Sequence, residues 1–208
     1  MNKLRQSIRV VFFVCCCICL CSCSEPSPTL KLLTSDAVIL AFGDSLTFGT
    51  GANSQTESYP AVLQQLSGWE VINAGIVGET SQLGLLRLPS ILKLVKPDLV
   101  ILCHGGNDLI RQLGKQQLKK NLKEMIRLIQ SSGADVLLIA IPQFSLTLAV
   151  PTLYEELATA FNIPVELTII RELEQNSAAK SDTIHPNANG YKLLAERIWD
   201  LISSLGKM

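Results

Sequence analysis

The chain has 208 residues, with 18 basic and 18 acidic side chains that balance to no formal net charge. Hydrophobic residues make up 48% and charged residues 17%, a balance that excludes an intrinsically disordered or low-complexity chain. The length suits one domain, and without a basic excess there is no electrostatic footprint for nucleic acid.

The first 22 residues carry Lys3, Arg5 and Arg9 and no acidic side chain. They lead into an unbroken apolar run from Val10 to Cys21. That run is shorter than the roughly 18 residues a membrane span needs, and with its basic start it reads as a signal peptide. Cys15, Cys16, Cys17, Cys19, Cys21 and Cys23 lie in or just after it. An apolar leader gives no scaffold for a closed metal site, so no metal is expected. Leu20-Cys21-Ser22-Cys23 resembles a bacterial lipobox, which implies cleavage before Cys23 and lipidation of its sulfur. An ordinary signal peptide cut near Ser24 would release a soluble protein instead; both readings place the body outside the cytoplasm. The lipobox reading anchors it to a membrane of the cell envelope, facing the periplasm. Residues 23–36, with Pro26 and Pro28, read as an extended tether, and residues 37–208 as the domain.

From Val38 onward, short apolar runs alternate with helical periodicity. Val38–Phe42, Trp69–Asn73, Leu99–Cys103 and Val136–Ile141 have strand length, and a weaker run covers Pro164–Leu167. Continuous apolar runs, unlike alternating ones, predict strands buried on both faces of a parallel sheet. Between them, Leu85, Leu88, Leu92 and Val95 recur at helical spacing, as do Leu118, Leu122, Met125, Ile126 and Ile129. A last stripe runs from Tyr191 through Leu194, Ala195, Ile198, Leu201 and Ile202. The alternation predicts an open α/β sheet with helices on both faces.

In such sheets chemistry gathers at the carboxyl ends of the strands. Gly43-Asp44-Ser45-Leu46, Asn73-Ala74-Gly75 and Gly105-Gly106-Asn107-Asp108 follow the first three strands. The chain has two histidines, and His185 sits in Asp182-Thr183-Ile184-His185-Pro186 before the final helix. That spacing lets the Asp182 carboxylate reach the imidazole and fix its tautomer. Ser45 at a strand end would need such a base, because a hydroxyl is a weak nucleophile at neutral pH. The N–H groups of Ser45 and Gly75 and the side-chain amide of Asn107 are candidate donors to an oxyanion.

These four blocks, in this order, resemble the GDSL or SGNH hydrolase family, over about Val38 to Leu201. Gly78-Glu79-Thr80-Ser81-Gln82 and Gly84-Leu85-Leu86-Arg87-Leu88-Pro89 are most similar to its bacterial thioesterase, lysophospholipase and arylesterase branch. The resemblance implies a three-layer α/β/α fold with a flavodoxin-like five-stranded parallel sheet. It also implies ester or thioester hydrolysis by Ser45, His185 and Asp182 through an acyl-enzyme, with no cofactor. The expected partners are a small-molecule or lipid ester and, through Cys23, a membrane; a monomer is expected.

Rival readings are weaker. His104-Gly105-Gly106 invites comparison with the HGGG motif of α/β-hydrolases, but Ser45 lacks the G-x-S-x-G context and precedes the motif. His104 reads as a semi-buried histidine or a pocket wall. Gly49-Thr50-Gly51 lacks the third glycine of a dinucleotide fingerprint, since position 54 is Ser. Cys103 ends an apolar strand and reads as a core residue. Within Gln143–Thr152, Phe144, Leu146, Leu148, Ala149 and Val150 suggest a groove for an apolar acyl chain. Deacetylation of an envelope polysaccharide is the alternative activity, and a tethered binding lipoprotein the non-enzymatic one.

Overall fold

A computed structural model of the chain describes residues 28–206, apart from Leu146. The leader, Cys23 and the first part of the tether lie outside the described residues. Five strands form one parallel sheet in the order β2-β1-β3-β4-β5: β1 (Val38–Gly43), β2 (Glu70–Gly75), β3 (Leu99–Cys103), β4 (Asp135–Ile139) and β5 (Val165–Glu166). This is the flavodoxin-like sheet the sequence implies. β3 is buried throughout, as a strand apolar on both faces must be. β2 is one of the two edges, and Glu70 and Asn73 are exposed there.

The helices are α1 (Ser45–Phe48), α2 (Tyr59–Ser67), α3 (Ser81–Val95), α4 (Gly106–Ile110), α5 (Lys115–Ser131), α6 (Leu153–Phe161), α7 (Ile169–Gln175) and α8 (Ala188–Leu205). The stripes at Leu88 and Leu92, at Leu118 to Ile129 and at Tyr191 to Ile202 are buried, as their periodicity requires, with Leu85, Val95 and Leu201 half-buried at their margins. α2 packs on α8, whereas α3 packs on α5 and α5 on α6, giving a layer on each face. At the β1–β3 centre Ile39, Leu40, Ile101 and Leu102 are fully buried. Among the described residues no helix is long and apolar enough to cross a membrane.

The folded body begins before residue 37, where the sequence reading placed its start. Leu30 is buried and bridges Gly206 beyond α8, and the Lys31 N–H donates to Asp135 Oδ2 at 2.6 Å. Burial of Leu30 and the hydrogen bond from Lys31 dock this part of the segment read as tether. This docking lies at the amino-terminal edge of the sheet, opposite the edge where Ser45 follows β1.

Candidate active site

β1 is flanked by β2 on one side and β3 on the other, so the chain order reverses across it. A crevice forms at the carboxyl ends beside such a strand. Gly43 pairs with both Gly75 and Cys103, so the three loops that follow start level with one another. A side chain at Gly43 would collide with the carbonyl oxygen of Cys103 and the hydroxyl of Thr47. The glycine therefore lets β1 turn at once into α1, where Asp44 Oδ1 caps the single turn by accepting from the Leu46 N–H at 3.1 Å. Burial pushes the Asp44 carboxyl up from its ordinary value, against the opposing pull of His104, the Leu46 N–H, the Asn107 amide and His185.

Ser45 opens that turn. Its Oγ lies 3.0 Å from His185 Nε2, and His185 Nδ1 lies 2.8 Å from Asp182 Oδ2. The other oxygen, Asp182 Oδ1, accepts the N–H groups of Ile184 at 2.7 Å and His185 at 2.8 Å. Burial alone would raise the Asp182 carboxyl; the His185 N–H, the imidazole and the Ile184 N–H outweigh it and hold the value at about 2. The loop is braced on both sides. Lys180 pairs with Pro186, Ser181 N–H donates to the His185 carbonyl at 2.9 Å, and Asn187 caps α8 through the Gly190 N–H at 3.0 Å. The structure thus brings Ser45, His185 and Asp182 together across 140 positions of sequence.

Asn107 comes from the loop after β3. Its Nδ2 donates to the Glu79 carbonyl at 3.0 Å and makes a longer 3.4 Å contact with Asp44 Oδ2. Ser45, Gly78, Asn107 and His185 line one cavity of about 290 Å³. Gly75 does not line it. The Gly75 N–H donates to Asn73 Oδ1 at 3.0 Å, and a side chain there would strike the Phe48 backbone nitrogen. Gly75 is therefore a packing glycine under α1, which corrects its expected place among the oxyanion donors. Gly78 lies three residues on, with φ +75°, and its N–H has no protein acceptor among the described residues. It was legible in the Gly78-Glu79-Thr80 stretch, but position after a strand is a poor guide when the loop runs on.

The cavity continues into a second of about 370 Å³, with Ile110, Phe144 and Ile184 shared between them. Ile141 adds to the apolar wall of the first. Of the segment expected to shape a groove, Phe144 and Gln143 line it. Leu148, Ala149 and Val150 do not, Val150 packing on the core instead, and Leu146 is outside the described residues. The α4 end and the base loop supply the remaining walls, contributions that no local pattern announces.

A model of the GDSL-like lipase/acylhydrolase family matches residues 41–193. The chain belongs to that family. It is 31% identical over 176 residues to thioesterase 1/protease 1/lysophospholipase L1 of Escherichia coli, covering 81% of this chain and 84% of the relative. It is also 31% identical over 195 residues to esterase TesA of Pseudomonas aeruginosa, covering 85% and 94%. Among solved structures, the esterase EstA from Pseudoalteromonas sp., inhibited by monoethylphosphonate, superposes with a TM-score of 0.72 at 26% identity. That match covers 81% of this chain and 98% of EstA.

Within this GDSL-family hydrolase, His104 is neither a pocket wall nor fully satisfied. It is completely buried, its Nε2 lies 3.1 Å from Glu79 Oε2, and its Nδ1 has no hydrogen-bond partner among the described residues. Cys103 is buried with a free thiol, and burial pushes that thiol well up. Thiol chemistry needs the thiolate, so Cys103 serves the core as the sequence reading holds.

Proposed function

We propose that this family member is an exported serine esterase that hydrolyses carboxylic esters or thioesters with apolar acyl chains. The observation that carries the reading is the unbroken hydrogen-bond chain from Ser45 through His185 to Asp182 at the mouth of an apolar trough. The similarity to the Escherichia coli thioesterase/lysophospholipase and the Pseudomonas aeruginosa esterase supports it.

In the proposed cycle His185 Nδ1–H donates to Asp182, which leaves Nε2 as the acceptor of the Ser45 hydroxyl proton. Ser45 Oγ attacks the acyl carbonyl as that proton moves to Nε2. Negative charge then collects on the former carbonyl oxygen. The Ser45 and Gly78 N–H groups are the donors for it, joined by the Asn107 Nδ2–H that exchanges its long 3.4 Å contact with Asp44 Oδ2 for the oxyanion. The tetrahedral intermediate collapses, the C–O or C–S bond breaks, and His185 returns its proton to the leaving alcohol or thiol. Water, deprotonated by His185, then attacks the acyl-Ser45 ester and releases the acid with Ser45 restored. The acyl chain would lie along Ile110, Phe144 and Ile184.

Lipidation at Cys23 and attachment to an envelope membrane belong to the same proposal. The described chain enters the domain at the sheet edge opposite Ser45, so a tether from Cys23 would turn the site away from its anchoring surface.

The test is hydrolysis of a p-nitrophenyl ester series from acetyl to palmitoyl, with fluorophosphonate labelling, by the mature protein and its Ser45→Ala variant. Labelling and hydrolysis that vanish in the variant and favour medium or long chains are the expected result. Activity confined to acetyl would replace the apolar-chain reading with deacetylation, and a protein that neither labels nor hydrolyses would overturn the enzyme.

A further inference from the structure

The turn that joins β2 to α3 is tied down at several of its backbone groups. The Gly78 carbonyl accepts from Arg111 Nη2 at 3.0 Å, the Glu79 N–H donates to the Ile76 carbonyl at 3.2 Å, and the Glu79 carbonyl accepts from Asn107 at 3.0 Å. Gly78, whose N–H has no acceptor among the described residues, lines the cavity that Ser45 lines.

Below the turn the Glu79 side chain runs inward and is only 5% exposed. Arg87 grips both oxygens, Nε to Oε1 at 2.7 Å and Nη2 to Oε2 at 2.7 Å, the paired geometry a guanidinium offers a carboxylate. Arg87 Nη2 also donates to the Ala74 carbonyl at 2.8 Å, and the guanidinium lies 4.0 Å over the Phe42 ring. His104 Nε2 meets Glu79 Oε2 from the third side. A carboxylate accepts only, so Nε2 is the donor in this contact, and Nδ1 has no partner among the described residues. The result is a buried anion fastened to the ends of β1, β2 and β3, each of which precedes a loop of the site. Burial pushes the Glu79 carboxyl up, but the His104 and Arg87 hydrogen bonds and the Arg87 charge outweigh it and hold it below the usual carboxylate range.

A surface turn needs none of this. A buried charge costs several kcal/mol to desolvate and is weak evidence of added stability. What the cluster does supply is placement: it sets the Glu79 carbonyl, which orients the Asn107 amide, and the Gly78 N–H next to it. We propose that Glu79, held by Arg87 and His104, is a positioning residue for the oxyanion donors, with His104 acting through Glu79 alone. This rests on the reading of Asn107 and Gly78 given above.

Glu79→Gln keeps the shape, but in either amide orientation its NH₂ faces an N–H of Arg87, so the side chain must move and the turn with it. The measurement is kcat and KM on a p-nitrophenyl ester for Glu79→Gln, Asn107→Ala and the double variant. The expected result for Glu79→Gln is a tenfold or greater loss of kcat, a KM within threefold of wild type and native circular dichroism. In the Asn107→Ala background the same change should cost less than threefold, because its target is already gone. A kcat within twofold of wild type, an effect on KM alone, or equal losses in both backgrounds would each overturn the proposal. An Asn107→Ala protein with undiminished kcat would instead sink the underlying oxyanion reading.

Should Glu79→Gln fail to fold, His104 decides the matter. His104→Leu removes the donor and should lower kcat about fivefold or more at unchanged KM. His104→Gln places an amide N–H near the position of Nε2 and should recover at least half of that loss. Equal behaviour of the two variants would reject the role of His104 and the proposal with it.

Discussion

Asp108 caps a helix that is not its own. Its Oδ2 accepts the Ser81 N–H at 2.8 Å and its Oδ1 accepts the Ser81 hydroxyl at 2.6 Å, while Asn121 Nδ2 donates to the same hydroxyl at 2.9 Å. Thr80, the residue placed to cap α3, makes no such bond. The loop after β3 thereby fastens the start of α3, and the Asn107 next to Asp108 is held in the same joint.

Asp108→Ala should therefore destabilise the fold as well as slow the enzyme. It removes a cap and leaves the buried Ser81 N–H and hydroxyl without their acceptor. The expected loss is about 2–4 kcal/mol, from the cost of a lost cap and of unsatisfied buried groups. Urea unfolding followed by circular dichroism checks it; a midpoint unchanged from wild type would show that the joint carries no load.

Asn107→Ala should behave in the opposite way, with near-native stability and a kcat lower by roughly a hundred- to a thousand-fold. Loss of one oxyanion donor typically raises the barrier by about 2.7–4 kcal/mol. Steady-state kinetics on a p-nitrophenyl ester measures it, and near-normal turnover would refute the role.

Gly75→Ala and Gly78→Ala separate a packing glycine from a donor-bearing one. An alanine at 75 meets the Phe48 backbone and cannot be accommodated without moving α1, so low yield or a clearly depressed Tm is expected. An alanine at 78 meets nothing closer than 3.5 Å, Arg111 Nη2, but is strained by φ +75°. It should fold, with a modest loss of stability and a clear loss of kcat. Thermal unfolding and kinetics on the two variants would show whether they separate in this way.

Asp182 sets a pH dependence of stability with a definite sign. Its folded value, about 2, lies below the ordinary 3.8, so the ionised clasp stabilises the fold above the ordinary value. That contribution fades as pH falls toward 2. The stability gap between wild type and Asp182→Asn should accordingly be present at pH 5 to 7 and shrink below about pH 4. Urea unfolding across that range tests it, and a gap that grows on acidification would contradict the assignment.

Phe144→Ala should change chain-length preference and leave the chemistry alone. Each methylene withdrawn from water contributes about 0.8 kcal/mol, so removing a shared wall of the two cavities should raise KM for decanoyl and longer esters several-fold. The acetyl ester should be little affected. The ester series that tests the proposed function reports this directly; equal changes for acetyl and decanoyl would place the acyl chain elsewhere.

Much of this was legible in one dimension because the signals are local. The apolar runs at Val38 and Leu99 announce buried parallel strands, and the stripe from Tyr191 to Ile202 announces a helix face, since burial imposes each period directly. Asp182 and His185 are three residues apart, so their pairing needs only a turn. Ser45 was legible from its place at a strand end together with the motif around it. Helices α2, α6 and α7 went unread, although Tyr59 and Leu63 in the first and Leu153, Tyr154 and Leu157 in the second are buried, because short apolar segments do not distinguish a helix from a strand.

What only the tertiary structure decided concerns contacts between loops that the sheet brings level. The choice of Gly78 over Gly75 depends on how far the chain runs past β2 before it turns toward the cavity. The partner of His104, Glu79, comes from the turn before α3, and the cap on Ser81 comes from the segment after β3. The trough is walled by Ile110, Phe144 and Ile184, each from a different connection. Strand and helix follow from hydrogen bonds and side-chain periods within a few residues, so the sequence by itself determined the fold class and the candidate nucleophile with its candidate base. The proposed oxyanion turn, its buried brace and the proposed acyl trough depend on the β2-β1-β3 order and the shared register at Gly43, and no local period encodes either.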